Sequence, residues 1–441
     1  MQMIYDIFSS TAPAMPKPAK GTEFIKFALS QASKDMREVL IPMAIPALAA
    51  HLTDVKFMYS DNKYYEMCGQ MGHLIGPSGI GKAQLGHLVE AIMKPFRQHD
   101  EVEFNKLVDW QRQMKTRGAN KEKPERPDVS FWFPPADVTN AAFIQNAMAC
   151  EKLGARTQYL NLPEVEMADK MCGGHKQVSQ MVRNIYDQQR AGALRATADG
   201  VTGNPVLRVN LTFTSTPEAA RLFYKKDLTN GFFGRIPFAY KARGERKGKI
   251  PRQGSYDEGF QEQLYSYLLR LDNCKGSFVV KQLNKIADQL AEEMAKLADL
   301  ADDDILWELS HRSIFSAWKK GAVLWILNDQ MWTHSIGEFV VWFCYYDLWS
   351  KVKVFGDMFK GADSDEEEVQ RSGPKNMLDS LDLSFNEQQL EALRLSLGKS
   401  QAGTKHQLRV WKNRKFITYS AQTGLYSKTQ EYLKGSGEKC L

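Results

Sequence analysis

The stretch Gly76-Pro77-Ser78-Gly79-Ile80-Gly81-Lys82-Ala83 decides how this chain reads. It matches GxxxxGK, with an apolar run ending at Ile75 before it and a helical pattern from Lys82 to about Arg97 after it. The glycines let the backbone curl so that several N–H groups face one cluster of phosphate oxygens. The helix that starts there adds the positive end of its dipole. Lys82 then reaches the outer phosphates as a point charge. The competing reading is an ordinary strand-to-helix turn with a surface lysine. ATP with Mg2+ is the expected ligand, with one departure. The residue after the lysine is normally Ser or Thr, whose hydroxyl takes the metal. Here it is Ala83, which leaves Ser78 or water to serve.

Upstream, residues 1–22 contain Pro13, Pro16 and Pro18 and no apolar period, and read as a flexible leader. Residues 23–52 read as helical with a break near Pro46. Val55–Tyr59 reads as a strand ended by Asp61 and Asn62, and residues 64–75 as a buried strand. Downstream, residues 98–128 form a charged insertion: a helix near residues 101–114, then an exposed loop. Val129–Phe133 reads as a strand and Thr139–Met148 as a helix capped by Thr139. Residues 157–162 and 206–214 are two further strand-like runs. Strands alternating with helices predict an α/β sheet with helices packed on it, spanning residues 23–257.

A phosphate-binding ATPase needs acids at the end of a second strand. Tyr159-Leu160-Asn161-Leu162-Pro163-Glu164-Val165-Glu166 is the candidate. Glu164 would polarise water and Glu166 would take the metal side. Alternatively, both are surface acids favoured at a helix start. Pro163 stands where Asp usually precedes the Glu. Thr214, in Thr214-Ser215-Thr216-Pro217, offers a hydroxyl to the attacking water or the terminal phosphate, or else belongs to a helix cap. Arg235, after Gly231-Phe232-Phe233-Gly234, suits an arginine reaching into a neighbouring subunit's site, or a structural ion pair.

The region 258–360 reads as almost entirely helical, with Trp318, Trp325 and Trp332 at core spacing. Residues 361–375 include Asp363–Glu368 and read as an acidic linker. Residues 376–432 show three short helices and a hairpin, the layout of a winged helix, followed by a tail to residue 441. Lys241, Arg243, Arg246 and Lys247 lie in a glycine-broken basic loop. Lys405, Arg409 and Lys412 lie on the last helix of the C-terminal unit. Both sets suit DNA phosphates, and each is also compatible with a solvated face.

The whole composition agrees. In 441 residues, 43% are hydrophobic and 11% aromatic, which excludes a wholly disordered chain. A net charge of +6 permits a polyanionic partner without requiring one. The six cysteines form no CxxC pair, arguing against a zinc knuckle and for a reducing cytoplasm. The most apolar helical run, Ile336–Trp349, carries Glu338 and Asp347 and reads as a core helix, not a membrane span.

Taken together, these residues resemble the primase-helicase-like P-loop proteins of bacterial mobile elements, especially those of Bacteroides-type integrative and conjugative elements and prophages. The resemblance rests on residues 44–57, the loop Gly76–Lys82, Pro135–Thr139 after the charged helix, Pro163–Glu166, Thr214–Pro217 and Gly231–Arg235. It implies a RecA- or AAA+-like ATPase core, a helical lid and a C-terminal winged helix. It also implies action in replication or mobilisation on DNA as hexameric rings. No zinc-binding primase module accompanies it.

Overall fold

The apolar runs flanking the phosphate-loop motif become strands of one parallel sheet. The computed structural model describes residues 6–116, 123–168, 175–194, 200–228, 231–244, 254–362 and 376–437. In chain order the elements are α1 (Glu23–Ala28), α2 (Arg37–Ala50), β1 (Val55–Met58), β2 (Tyr64–Glu66), β3 (Met71–Ile75), α3 (Ala83–Ile92), α4 (Lys94–Thr116), α5 (Asn140–Lys152), β4 (Gln158–Leu162), α6 (His175–Tyr186), β5 (Val209–Ser215), α7 (Pro217–Tyr224) and β6 (Phe238–Tyr240). A mainly helical region follows: α8 (Glu258–Asp272), β7 (Gly276–Phe278), α9 (Lys281–Ala301), α10 (Asp304–Leu327) and α11 (His334–Ala362). The C-terminal unit holds β8 (Ser384–Phe385), α12 (Glu387–Ser396), α13 (Thr404–Asn413), β9 (Ile417–Ser420), β10 (Leu425–Lys428) and α14 (Gln430–Gly437).

The result is a mixed α/β fold. Its main sheet has the order β4-β5-β3-β6, with every pair parallel. Strands buried on both faces explain the near-continuous apolar runs. β7 interrupts the helical region and pairs in parallel with β1, so the region expected to be purely helical also completes a small second sheet.

The helix α2 lies against this sheet and is apolar all round, so nearly every residue is buried. The break expected at Pro46 does not occur, because both Pro42 and Pro46 sit inside one continuous helix. Side chains of β5 brace it: Asn210 Nδ2 donates to the Pro46 carbonyl at 3.0 Å and Thr212 Oγ1 to the Met43 carbonyl at 3.3 Å. Each such buried bond contributes about 1 kcal/mol. Gly72 of β3 permits the close approach, since a Cβ there would meet Met43 Sδ at 2.8 Å.

One hydrophobic cluster runs from Ile7 through the sheet to Phe355, so the helices after residue 258 share the core of the sheet. The stretch expected as a flexible leader is held in its described part. Trp349 Nε1 donates to the Ser9 carbonyl and Trp342 Nε1 to the Pro13 carbonyl, both at 2.9 Å, and Ile7 is buried. The strand expected at 129–133 does not form. Side chains intercept its donors: Phe131 N–H goes to Asn146 Oδ1 at 2.7 Å, and Trp132 and Phe133 N–H go to the Asp100 carboxylate at 2.8 and 2.7 Å. The expected acidic run Asp363–Glu368 lies outside the described residues.

The C-terminal unit has its own small core around Phe385, Leu390, Leu408 and Trp411. Its first expected helix, 376–381, is instead a turn, in which Asn376 Oδ1 accepts from Leu378 N–H at 3.0 Å. The expected hairpin forms, and β8 adds a third antiparallel strand in the order β8-β10-β9.

Candidate functional site

Gly76 follows the last residue of β3, in the middle of the main sheet, and α3 opens at Ala83. Carboxyl ends of parallel strands are where ligands bind in open α/β sheets. The loop conformation explains its glycines. Gly79 and Gly81 have φ of +80° and +94°, a region that disfavours side chains. A Cβ on Gly76 would meet Ile80 Cδ1 at 2.3 Å and the Lys241 carbonyl at 3.1 Å. The backbone N–H groups of Ser78, Gly79, Gly81 and Lys82 donate to no described residue. Lys82 Nζ folds back over the loop and donates to the carbonyls of Gly76 at 2.5 Å and Pro77 at 3.2 Å. Partial burial lowers its pKa, opposed by the nearby Glu218 carboxylate.

β5 lies between β3 and β4, so the β4 end is about 10 Å from the loop strand, two inter-strand spacings away. Glu164 and Glu166 follow that end and are both exposed. Thr214 Oγ1 donates to the Pro163 carbonyl and joins the tips of β5 and β4. Thr216, two residues on, caps α7 by accepting from Ala219 N–H at 3.2 Å. The cap in this segment is therefore Thr216, and Thr214 has a separate role. Glu218, in the first turn of α7, is a carboxylate the sequence reading passed over. The only signal for it was its place after a strand end, where helix starts favour acids in any case.

His73 sits inside β3, fully buried. Its Nε2 lies 2.7 Å from Ser215 Oγ and its Nδ1 2.9 Å from Tyr224 Oη. Burial, aided by Lys82, pushes its pKa down to about 3, so the ring is neutral near pH 7. Gly76 N–H donates to the Ser215 carbonyl at 3.1 Å. The first residue of the loop is thus registered against β5, and His73 ties the same strand pair to α7.

Lys241 directly follows β6 and donates its N–H to the Ile75 carbonyl at 2.8 Å. Lys241 and the exposed Arg243 therefore stand at the same edge of the sheet as the loop. Arg246 and Lys247 lie outside the described residues.

Arg235 stands elsewhere. It ends the 3-10 turn Phe233–Arg235, before β6, whose first residue pairs with His73. That is the amino edge of the sheet, opposite the loop. Arg235 Nη2 binds Asp187 Oδ2 at 2.8 Å and Nη1 donates to the Gly231 carbonyl at 2.7 Å. Within one chain it is a structural ion pair, and it can meet a phosphate loop only in another copy.

On α13, Thr404, Gln407, Leu408 and Trp411 point into the protein, while Lys405, Arg409 and Lys412 share the exposed face. The inner face docks on the end of α9: Gln407 Nε2 and Trp411 Nε1 both donate to the Asp299 carbonyl, at 2.6 and 3.1 Å. Arg414 pairs with Asp299 and Arg394 with Asp302, both at 2.6 Å.

Among the described residues, no three His, Cys, Asp or Glu side chains converge on a metal-sized site. Ser78, Glu164, Glu166 and Glu218 supply hard oxygen donors near the carboxyl edge, which fits magnesium carried on phosphate oxygens and water. A cleft of about 1000 Å3 lies between α4 and α5, but no residue of Gly76–Lys82 lines it. Among the described residues, no helix is long and apolar enough to cross a membrane. No protein-family model matches the chain, and no curated protein matches it.

Proposed function

We propose that the chain is a P-loop ATPase of RecA/AAA+-like type that works on DNA, as a helicase, translocase or replication initiator of a mobile element. The observation that carries this reading is the loop itself. Gly76–Lys82 leaves an interior parallel strand with the N–H groups of Ser78, Gly79, Gly81 and Lys82 donating to no described residue and Lys82 folded over its carbonyls. A triphosphate would replace those carbonyls as the partner of Lys82, and the loop amides would bind its oxygens. Mg2+, bound with ATP, would neutralise phosphate charge, with Glu166 and Ser78 as the candidate protein oxygens for it.

In hydrolysis, a water oxygen attacks the γ-phosphorus and the bond to the β,γ-bridging oxygen breaks. Glu164 takes the water proton, and ADP and phosphate leave. Thr214 fixes the strand end that carries Glu164. Arg235 of a neighbouring copy would complete the site, as in the hexameric ring the resemblance implies. Lys241, Arg243 and the exposed face of α13 are the DNA-facing cations, with the C-terminal unit serving as a winged helix.

A second reading is favoured by Ala83 and Pro163, which withhold two usual oxygen ligands. In it the chain binds ATP and DNA and assembles without turnover. ATP hydrolysis by the full chain, with and without single-stranded and duplex DNA and beside Lys82→Ala, separates the two. DNA-stimulated turnover that disappears in the variant supports the motor. Tight ATP binding with turnover no higher than in the variant supports the assembly factor. Equal ATP binding by both proteins would overturn both.

A further inference from the structure

We propose that Arg312 acts with Arg235 as a two-guanidinium anion site for the phosphate tail of ATP bound to a second copy of this chain. The proposal rests on the ATP-binding reading above and adds a residue and an interface to it.

Both guanidiniums stand on one aromatic ring. Arg235 Cζ lies 5.6 Å and Arg312 Cζ 5.5 Å from the centroid of Tyr186. Tyr186 is 7% exposed, and among the described residues its buried hydroxyl has no hydrogen-bond partner. Arg235 is paired with Asp187, while its Nε is buried and has no partner among the described residues. Among the described residues Arg312 has no carboxylate within ion-pair distance. One carboxylate against two cations leaves surplus positive charge on a partly open surface. Planar guanidinium forks match phosphate oxygens better than any other side chain does.

The two arginines are also mechanically linked. The stem of Arg312 packs at Gly234, where an added Cβ would meet its Cγ at 3.5 Å. Arg312 comes from α10, so the site joins the helical region to the sheet. It lies at the amino edge, while the phosphate loop lies at the carboxyl edge, about 17 Å away along a five-residue strand. A ligand shared by the two edges must therefore bridge two chains. Such contact is head-to-tail, which closes into rings or runs on as filaments. In the single chain Asp187 holds Arg235, and a neighbour's phosphate replaces it on assembly.

The test uses the full chain with Arg312→Ala, Arg312→Lys and Lys82→Ala, each checked for an unchanged melting profile. A fluorescent ATP analogue reports nucleotide binding, and sedimentation velocity reports assembly with ATP or with inorganic phosphate alone. Assembly that depends on ATP and needs at least tenfold more protein in Arg312→Ala is expected, with partial recovery in Arg312→Lys. Mixing Arg312→Ala with Lys82→Ala should restore paired chains, since one supplies the loop and the other the arginines. No rescue on mixing would place Arg312 within its own chain and overturn the inference. Wild-type assembly by Arg312→Ala, or equal assembly with phosphate alone, would also overturn it while ATP binding stood. Failure of the ATP-binding reading is a separate result: Lys82→Ala would bind the analogue as wild type does.

Discussion

The Thr214 hydroxyl donates to the Pro163 carbonyl, so the tip of the strand next to the phosphate-loop strand holds the backbone just before Glu164. The bond spans 51 residues of sequence yet joins neighbouring strands. It places the candidate water-activating acid under the control of a residue near the loop. Thr214→Val keeps the shape and removes the donor. A net loss of about 1 kcal/mol corresponds to roughly fivefold. ATP turnover should fall by at least that factor with little change in ATP affinity, and Thr214→Ser should recover most of it. Single-turnover hydrolysis beside equilibrium binding separates the two effects. An equal fall in affinity and turnover would show that Thr214 acts on binding instead.

Lys82 makes the direct claim on phosphate. It is half-buried over two loop carbonyls and exchanges them for charged oxygens when a triphosphate binds. A hydrogen bond to a charged group contributes about 2 kcal/mol, or roughly thirtyfold in affinity. Lys82→Ala should weaken ATP by about that factor and weaken adenosine far less. Isothermal titration with both ligands measures the difference.

His73 sets a pH dependence of stability. A free histidine titrates near 6.5, whereas His73 is held down to about 3 by burial and by Lys82. Between those values the unfolded chain holds a proton that the folded chain lacks. Stability contributed by the neutral ring is therefore complete above about 6.5 and lost progressively as pH falls toward 3. His73→Gln keeps a donor and an acceptor for Ser215 and Tyr224 but removes this titration. Urea midpoints across that range should slope less steeply in the variant, and parallel slopes would assign the acid lability to other groups.

Local patterns were legible in the sequence wherever a short stretch carries its own physical signature. The loop Gly76–Lys82, the strands expected within 157–162 and 206–214 and the Thr139 cap depend on neighbours in the chain, and all of them form, the strands as Gln158–Leu162 and Val209–Ser215. Partners distant in sequence were not legible. Periodicity cannot tell that Asp100 and Asn146 take the donors of Phe131–Phe133, which turns an expected strand into an irregular segment. Nor can it tell that indoles of α11 hold the proline-rich start of the chain. Proline rules favoured a break in α2, and burial against β3 and β5 overrode them. At the candidate site, residue types pointed to Arg235, but the sheet register alone put it at the edge opposite Lys82.

Asp302 joins the C-terminal unit to the rest of the chain. It caps α9 with φ of +50° and pairs with Arg394, whose side chain is only 5% exposed. Asp302→Ala would leave that guanidinium nearly buried without a carboxylate, at a cost of about 1–3 kcal/mol. The unit keeps its own core, so the expected effect is loosened docking with the unit still folded. Hydrogen exchange should rise on the inner face of α13 and at the end of α9, with little change in β9 and β10. Uniform loss of protection across the unit would mean that docking holds the fold itself.

The exposed face of α13 gives the sharpest prediction about DNA. Lys405, Arg409 and Lys412 recur at helical spacing on one face, while the opposite face is committed to Asp299 and the core. A cation that neutralises one DNA phosphate releases a counterion. The slope of log affinity against log salt therefore shrinks by roughly 0.9 for every phosphate the protein no longer neutralises. Replacing all three with Gln should flatten the slope by nearly three such steps and weaken binding similarly across sequences. Arg414→Gln should change the slope little, because Arg414 is spent on Asp299 at 2.6 Å. Fluorescence anisotropy with duplex and single-stranded DNA over a salt series measures both. An unchanged slope in the triple variant would move the DNA-binding surface to Lys241 and Arg243, at the edge of the sheet that carries the phosphate loop.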